Sequence, residues 1–243
     1  MDQPKSLCLG RYKIVKPLGR TEWSAVYSCY DKETDEQVAV KVLSLRVPDP
    51  AIVKAMYQRE VGALEGFSHP SVVQMLRYQA EEDEGRLNIV LELIGGGITL
   101  EALIADSQAP GAVRRPLRWR FEQLLGLLDG LSKAHKNNVI HRDVKLSNVL
   151  WDRERDVLKL VDFGIARLLE NYGRSDAGAT LRSFYTTPYA APEQVRGLDS
   201  SFPADLHAFG VVAAALLAWR IPALTFRRAE LGAFMAPFIN EVG

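Results

Sequence analysis

The chain has 243 residues, of which 47% are hydrophobic and 25% are charged, a composition typical of one large or two small globular domains. Its 30 basic and 30 acidic residues balance, so net charge gives no reason to expect nucleic acid or an anionic membrane as a partner. Cys8 and Cys29 are far apart in the sequence, which favours a reducing compartment, the cytoplasm, over a disulfide framework. No secretion signal is apparent, and no apolar run reaches the ~18 residues of a membrane span.

Residues 11–45 alternate apolar and polar positions and predict three antiparallel strands, with a polar loop at 31–36 between the second and the third. Two prolines then interrupt the pattern, and residues 51–66 predict a helix. The segments 71–78 and 86–93 predict two further strands on either side of an acidic loop.

Three consecutive glycines at 95–97 mark a change of composition from strand-rich to helix-rich sequence, and we place a hinge at about 92–97. A simple flexible linker would give the same boundary. Apolar residues at helical spacing predict a helix over 117–137. Residues 168–190 are typical of an exposed loop, and the almost wholly apolar stretch 204–219 predicts a helix that is covered on nearly all sides.

Four short motifs stand in a fixed order along the chain: VAVK at 38–41, HRDVKLSN at 141–148, DFG at 162–164 and APE at 191–193. Taken singly, acids such as Asp143 could be loop residues that cap helices. Together the motifs resemble the protein kinase family, and the resemblance covers residues 11 to about 222. The forms DFGIAR and HRDVKxSNVL are similar to bacterial members of the eukaryotic-type (Hanks-type) Ser/Thr protein kinases.

The resemblance implies an α+β, two-lobed protein kinase-like fold. Residues 11–94 would form an N-terminal lobe of antiparallel strands with one helix. Residues 95–243 would form a mainly helical, shortened and incomplete C-terminal lobe, because residues 220–243 are fewer than the family usually carries after the apolar helix.

The implied activity is transfer of the γ-phosphate of ATP, with Mg²⁺, to hydroxyls of a protein substrate. This chemistry requires aligned groups and neutralised charge more than covalent help from the protein. The resemblance assigns Asp143, Lys145, Lys41 and Glu60 to catalysis, and Asn148 and Asp162 to the metal, whose preferred ligands are hard oxygens. Glu65 is the alternative to Glu60 as the carboxylate that pairs with Lys41.

By the same resemblance, an apolar pocket holds the adenine and the neighbouring loop holds the phosphates. The residues assigned to nucleotide binding are Leu18, Gly19, Val26, Ala39, Lys41, Leu91, Glu92, Ile94 and Leu150. Glu92 and Ile94 would contribute backbone groups to the adenine edge. The apolar members of this set could equally be ordinary core residues.

Further residues bear on specificity and regulation. Lys145 and Thr187 resemble their counterparts in Ser/Thr kinases, and Thr180 is the preferred phosphorylation site in the loop, with Ser175 and Ser183 as alternatives. Asp205 matches the family aspartate that supports the catalytic loop. A basic cluster at 114–120 is more typical of a solvated face than of a docking site.

The pattern departs from the family at the glycine-rich loop, where Thr21 and Ser24 replace two of three glycines and predict weaker ATP binding. This departure keeps open the alternative of a pseudokinase, a binding or scaffolding module without turnover. A small-molecule phosphotransferase is a third, less favoured alternative. The short C-terminal lobe also predicts an exposed apolar patch, and with it self-association or a partner.

Overall fold

The computed structural model describes residues 7–8, 10–21, 24–44, 61–62, 64–81, 85–106, 114–163, 188–195, 201–223 and 235. By their internal contacts these residues fall into two units. The first takes the described parts of Met1–Ser68 and Val73–Ile94, and the second takes His69–Val72 with the described parts of Gly95–Gly164 and Thr180–Gly243. The helix expected over 51–66 lies outside these residues except near its end, where Val61 and Gly62 are helical.

The first unit is built on a five-stranded antiparallel sheet in the order β1-β2-β3-β5-β4. Its strands are β1 (Tyr12–Arg20), β2 (Ser24–Asp31), β3 (Glu36–Ser44), β4 (Met75–Glu81) and β5 (Arg86–Glu92). The three strands expected within residues 11–45 and the two expected around the acidic loop are confirmed. Their β-branched and aromatic residues suit a pleated surface that is buried on one face.

A cluster of buried apolar residues forms the core on one face of this sheet. Its members are Leu7, Cys8, Tyr12, Ala25, Tyr27, Cys29, Val38, Val40, Val42 and Val90. At its edge Arg11 donates two hydrogen bonds to the Asp31 carboxylate, at 2.8 and 2.6 Å, and the bonds lower the pKa of Asp31 to about 2. Burial raises the pKa of the Cys8 and Cys29 thiols to about 11 and about 12, so both are protonated at neutral pH.

The second unit is mainly helical, which confirms the α+β class. Three strands form a small sheet: β6 (Ile98–Thr99), β7 (Val149–Asp152) and β8 (Val157–Leu160). Along the chain, β6 comes before the first helix, and β7 and β8 lie between the second and the third. The helices are α1 (Leu100–Asp106), α2 (Leu117–Lys136), α3 (Pro192–Val195) and α4 (Phe202–Ala218), with a 3₁₀ turn at Leu146–Asn148. Among the described helices, none combines the length and the apolar content needed to cross a membrane.

Helices α2 and α4 pack together and form the centre of this unit. The expectation that the apolar helix is covered on nearly all sides was wrong, because Leu206 is 47% exposed and several other α4 residues are only partly buried. The buried positions follow the helical repeat and include Ala204, Ala208, Val212 and Ala215. The helix therefore has one packed face, although its sequence is apolar all round.

A buried arginine joins the two helices. Arg120 of α2 is fully buried; its Nη1 donates to the carbonyl of Leu217 at 2.9 Å and its Nε donates to the carbonyl of Arg115 at 2.7 Å. The guanidinium also lies 4.9 Å from the ring centre of Trp219. Trp219 ends α4 in the left-handed conformation, with φ of 52°, which a bulky side chain rarely adopts. Stacking and burial against Arg120 stabilise that otherwise unfavourable helix end.

The β7–β8 hairpin is fastened to the start of α2 by two tryptophans. The indole nitrogens of Trp119 and Trp151 both donate to the carboxylate of Asp156, at 3.1 and 2.9 Å. The two rings meet edge to face at 6.4 Å, and Arg115 lies 4.2 Å from the Trp151 ring centre. Each buried indole N–H thus has an acceptor, as buried polar groups require.

The segment His69–Val72 packs against α2 at two glycines one helical turn apart, Gly126 and Gly130. A Cβ atom on Gly130 would lie 2.8 Å from Val72 Cγ2 and 2.9 Å from His69 Nδ1. His69 is also held by its Nε2, which lies 3.0 Å from Asp129 Oδ2. Close approach of this segment to the helix is therefore possible only because α2 lacks side chains at these positions.

We predict that Gly130→Ala destabilises the protein by about 1–3 kcal/mol, because the added methyl group overpacks this contact. The matched control is Gly210→Ala on α4, where an added Cβ meets no atom within 4 Å. That change should stabilise the protein by about 0.5–1 kcal/mol through helix propensity. Urea denaturation of both variants measures the difference, and shifts of the same sign would contradict this view of Gly130.

Candidate active site

Four of the residues assigned to nucleotide binding in the first unit share one face of its sheet: Val26, Ala39, Lys41 and Leu91. Cross-strand pairing sets Val26 opposite Lys41, Lys41 opposite Ile89, and Ala39 opposite Leu91. This is the face opposite the apolar core, and Lys41 is buried on it. Leu18, near the end of β1, is exposed, and Gly19 pairs with Val26. The sheet thus brings an ammonium group and several apolar side chains to one surface.

The end of β5 supplies backbone groups. Glu92 donates its N–H to the carbonyl of Gln74 at 3.0 Å, and its carboxylate accepts the N–H of Gln74 at 2.9 Å. The group of Glu92 that suits an adenine amino group is therefore its carbonyl. Ile94 is nearly buried at the end of this unit.

The turn between β1 and β2 is closed by two hydroxyl side chains. Ser24 donates its N–H to Thr21 Oγ1 at 3.1 Å, and the two hydroxyl oxygens lie 2.8 Å apart. The N–H of Thr21 in turn donates to the carbonyl of Ser24 at 2.7 Å. Residues 22 and 23 lie outside the described residues. The backbone donors at both ends of this turn are thus used within the turn itself.

In the second unit, two polar side chains converge on Asp143. Lys145 Nζ lies 2.9 Å from Asp143 Oδ2, and Asn148 Nδ2 donates to the same oxygen at 2.9 Å and to the Asp143 carbonyl at 2.8 Å. The 3₁₀ turn at Leu146–Asn148 creates this geometry by turning Asn148 back towards Asp143. A carboxylate held in this way is oriented for proton transfer and lies beside a cation suited to a phosphate.

A family model described as the protein kinase domain matches residues 12–232 of the chain. The chain belongs to the protein kinase domain family. It is 33% identical over 213 residues to a probable serine/threonine-protein kinase PknB of Lactococcus lactis, covering 87% of this chain and 32% of that protein. It is 30% identical over 213 residues to the serine/threonine-protein kinase PrkC of Bacillus subtilis, covering 88% of this chain and 31% of that protein.

The chain therefore spans about a third of the length of these curated relatives. Among solved structures, the kinase domain of Mycobacterium tuberculosis PknI has a similar fold, with a TM-score of 0.72 and 24% identity. The similarity covers 96% of this chain and 86% of that one. The expected resemblance to bacterial Ser/Thr protein kinases is confirmed.

In this kinase domain the catalytic segment depends on Asp205 of α4. Its carboxylate is buried and accepts the N–H groups of His141 and Arg142 at 2.7 and 2.8 Å. Arg142 has a φ of 65°, a conformation that costs free energy in a residue with a side chain. Two charge-assisted hydrogen bonds offset that cost and fix the backbone immediately before Asp143.

His135, in the last turn of α2, is a member of this network that the sequence did not point out. Its Nε2 lies 2.9 Å from Asp205 Oδ2, and its ring lies 4.8 Å from that of Phe202. The sequence did contain a signal for this role, because His135 is a polar residue on the buried side of a predicted helix, six positions before His141. The glycines at 126 and 130 gave a second unused signal, since glycine in a helix interior usually marks a close contact.

His141 is a packing residue, as expected, and its protonation state follows from its contacts. Nδ1 lies 3.3 Å from the N–H of Asp143 and accepts it, so Nε2 carries the hydrogen that is donated to the Val161 carbonyl at 3.1 Å. The ring lies 4.5 Å from that of Phe163. Complete burial lowers the pKa of His141, so the neutral ring is favoured.

The residues present fit a divalent cation of the Mg²⁺ type. Asn148 uses its amide nitrogen on Asp143, which leaves its Oδ1 as the atom suited to a metal, and Asp162 offers a carboxylate. The N–H of Val161, next to Asp162, donates to the Asn148 carbonyl at 2.9 Å and ties the two segments together. Among the described residues, no group of three or more His, Cys, Asp or Glu side chains is arranged to hold a metal ion.

Several assigned residues lie outside the described residues. These are Glu60, the loop candidates Ser175, Thr180 and Ser183, and Thr187. Leu150 lies on β7, paired with Thr99 and Lys159, and is partly buried. In the APE segment Ala191 is buried, and its N–H donates to Gln194 Oε1 at 2.9 Å.

We predict that stability falls as pH falls below about 6.5, the ordinary pKa of histidine. The pKa of His141 is lower in the folded than in the unfolded state, so the unfolded state binds more protons in this window and unfolding is favoured. The slope from this residue is at most about 1.4 kcal/mol per pH unit. His141→Gln, which can still donate to Val161, should flatten the pH dependence of the free energy of unfolding, as measured by urea denaturation. His207→Gln should leave that dependence unchanged. Equal slopes against pH in the wild type and both variants would refute the assignment.

Proposed function

We propose that this chain is an ATP-dependent protein kinase that transfers the γ-phosphate to serine or threonine hydroxyls of protein substrates. The observation that carries the proposal is the convergence of Lys145 and Asn148 on the Asp143 carboxylate. Residues 11–94 would act as the ATP-binding lobe and residues 95–243 as the lobe that carries the catalytic residues. Two protonated, buried thiols in the first unit favour a cytoplasmic location.

In the proposed reaction the substrate hydroxyl oxygen forms a bond to the γ-phosphorus, and the bond from that phosphorus to the bridging oxygen of ADP breaks. Asp143 accepts the hydroxyl proton, and its orientation is held by Asn148 and by the segment anchored on Asp205. Lys145 neutralises charge on the phosphoryl group, while Lys41 holds the ATP phosphates and is oriented by Glu60. Asn148 and Asp162 would hold Mg²⁺, which would supply further neutralisation of phosphate charge.

The adenine would contact the face of the first sheet that carries Val26, Ala39 and Leu91, with Leu18 beside it; Leu150 of the second unit is assigned to adenine binding by its match to the family alone. The carbonyl of Glu92 and the backbone of Ile94 would bind its polar edge. Gly19 lies near the end of β1, next to the turn that would cover the phosphates. These assignments rest on the shared sheet face and on the chemistry of an apolar pocket with a few polar groups.

The alternative is a pseudokinase that binds nucleotide or partners without turnover. The hydroxyl-closed turn at Thr21 and Ser24 favours it, because that turn engages backbone donors that a phosphate would need. The intact Asp143 cluster favours the active kinase.

We predict that Asp143→Asn lowers phosphotransfer by about 10²–10⁴-fold, because the amide cannot accept a proton. The purified chain is incubated with Mg-ATP and a basic protein substrate, and mass spectrometry locates the transferred phosphate. Asp106→Asn, an exposed change at the end of α1, is the control that should retain activity. Full activity in Asp143→Asn would contradict the assigned role, and a wild-type chain that binds ATP but transfers no phosphate would support the pseudokinase.

We further propose that a second copy of this chain covers an apolar stripe on α2. The α2 stripe consists of Phe121, Leu125 and Leu128, which lie one turn apart on one side of the helix and are 46%, 67% and 38% exposed. In an antiparallel pair related by a two-fold axis, the same flank of each helix meets in reverse order. Setting Phe121 of one copy opposite Leu125 of the other brings Arg118 of each copy beside Asp129 of its partner, so the charges flanking the stripe complement each other.

We predict that Leu125→Glu shifts the protein towards monomer in a sedimentation velocity concentration series, because the charge would be buried in the pair. Val195→Glu is the matched control, at a position 58% exposed on α3. Arg118→Asp should weaken association, and Arg118→Asp with Asp129→Arg should restore it. A wild-type monomer at every concentration would refute the proposal. A separate measurement follows the labelling of a cysteine introduced by Leu125→Cys. If labelling increases only when residues 224–243 are removed, the stripe is covered by the chain's own C-terminal segment, and the proposal is wrong.

A further inference from the structure

The hydroxyl of Thr21 has a chemical consequence for the proposed nucleotide site. Loops that cradle phosphates do so with backbone N–H groups, and glycine allows those groups a close approach. Between β1 and β2 of this kinase, Thr21 and Ser24 stand at the positions of the second and third glycines of the family loop. The sequence predicts weaker ATP binding from these two replacements.

The contacts indicate a different role for these side chains. Thr21 Oγ1 accepts the N–H of Ser24 at 3.1 Å, and it also lies 2.8 Å from Ser24 Oγ. Glycine at position 21 would have no oxygen to accept that N–H.

We propose that Thr21 sets the affinity of this kinase for the phosphates of its nucleotide, by occupying the backbone donor of Ser24 that a phosphate oxygen would otherwise take. The inference rests on the proposed ATP site. A triphosphate must displace the Thr21 hydroxyl, whereas adenosine, which has no phosphate, need not. Thr21 therefore lowers affinity for ATP relative to adenosine and acts as a specificity-determining residue.

The test compares ATP and adenosine binding by calorimetry in the wild-type chain and in two variants. Thr21→Val keeps the β-branched shape but removes the oxygen that accepts the Ser24 N–H. Ser24→Ala is the matched control, because it removes the hydroxyl pair but leaves the bond from the Ser24 N–H to Thr21 Oγ1. One recovered hydrogen bond should tighten ATP binding of Thr21→Val about threefold to tenfold. Adenosine binding should not change, and Ser24→Ala should show no such gain.

A second measurement follows the donor itself. In the nucleotide-free protein, amide hydrogen exchange at Ser24 should be faster in Thr21→Val than in the wild-type chain, because the N–H loses its acceptor. Equal ATP affinities in wild type and Thr21→Val would overturn this inference while leaving the ATP site in place. Weaker ATP binding by Thr21→Val, with adenosine unchanged, would overturn it too, since the hydroxyl would then contact the phosphates directly. Failure of the wild-type chain to bind either ligand would overturn both this inference and the proposed function.

Discussion

The buried carboxylate of Asp205 is the interaction on which the catalytic half of this kinase domain depends. A carboxylate removed from water must have its oxygens satisfied, and here the donors are the N–H groups of His141 and Arg142 together with the ring of His135. The hydrogen bond from the Arg142 N–H to this carboxylate stabilises Arg142 in a left-handed backbone conformation, which is otherwise unfavourable for a residue with a side chain. That conformation directs the chain into the segment that carries Asp143, so the position of Asp143 depends on a charge buried on α4.

The helices that supply this network are themselves joined by specific contacts. Arg120 connects α2 to the last carbonyls of α4, and its stacking on Trp219 supports an unfavourable helix end. The glycines of α2 admit the segment His69–Val72, and two indoles bind the β7–β8 hairpin through Asp156. Each contact satisfies a buried polar group or fills space that a larger residue would disrupt. The second unit is therefore held by directional contacts as well as by apolar packing.

The sheet of the first unit has two different faces. One face packs on the apolar core, and the other carries Lys41. Strict alternation along β3 sends Val38, Val40 and Val42 to the core, and Ala39 and Lys41 to the opposite surface. The turn at Thr21 and Ser24 joins two strands of this sheet and satisfies its own donors. In the proposed nucleotide site, the hydrogen bonds that order this turn would compete with a bound phosphate, so local stability and nucleotide affinity would oppose each other there.

The sequence by itself determined the family, the order of the elements and the identity of the residues around Asp143. Period-two alternation and helical spacing are local properties, and they predicted the five strands of the first sheet and the helices α2 and α4 without knowledge of the packing, whereas β6, α1 and α3 were not predicted. It could not tell which of the apolar residues on α2 would be buried: Leu124 and Leu131 are, whereas Leu125 is exposed. The helical spacing of apolar residues identifies a wide apolar face on α2. Which part of that face is buried depends on where the neighbouring elements pack.

Tertiary structure alone decided three features of the site. His135 of α2 contacts Asp205 of α4, Arg120 packs on Trp219 at a left-handed helix end, and the hydroxyl of Thr21 accepts the N–H of Ser24. The physical reason is the same in each case. A polar group's role depends on which partner lies within about 3 Å of it, and the fold sets that distance between residues that the sequence shows only as separate letters.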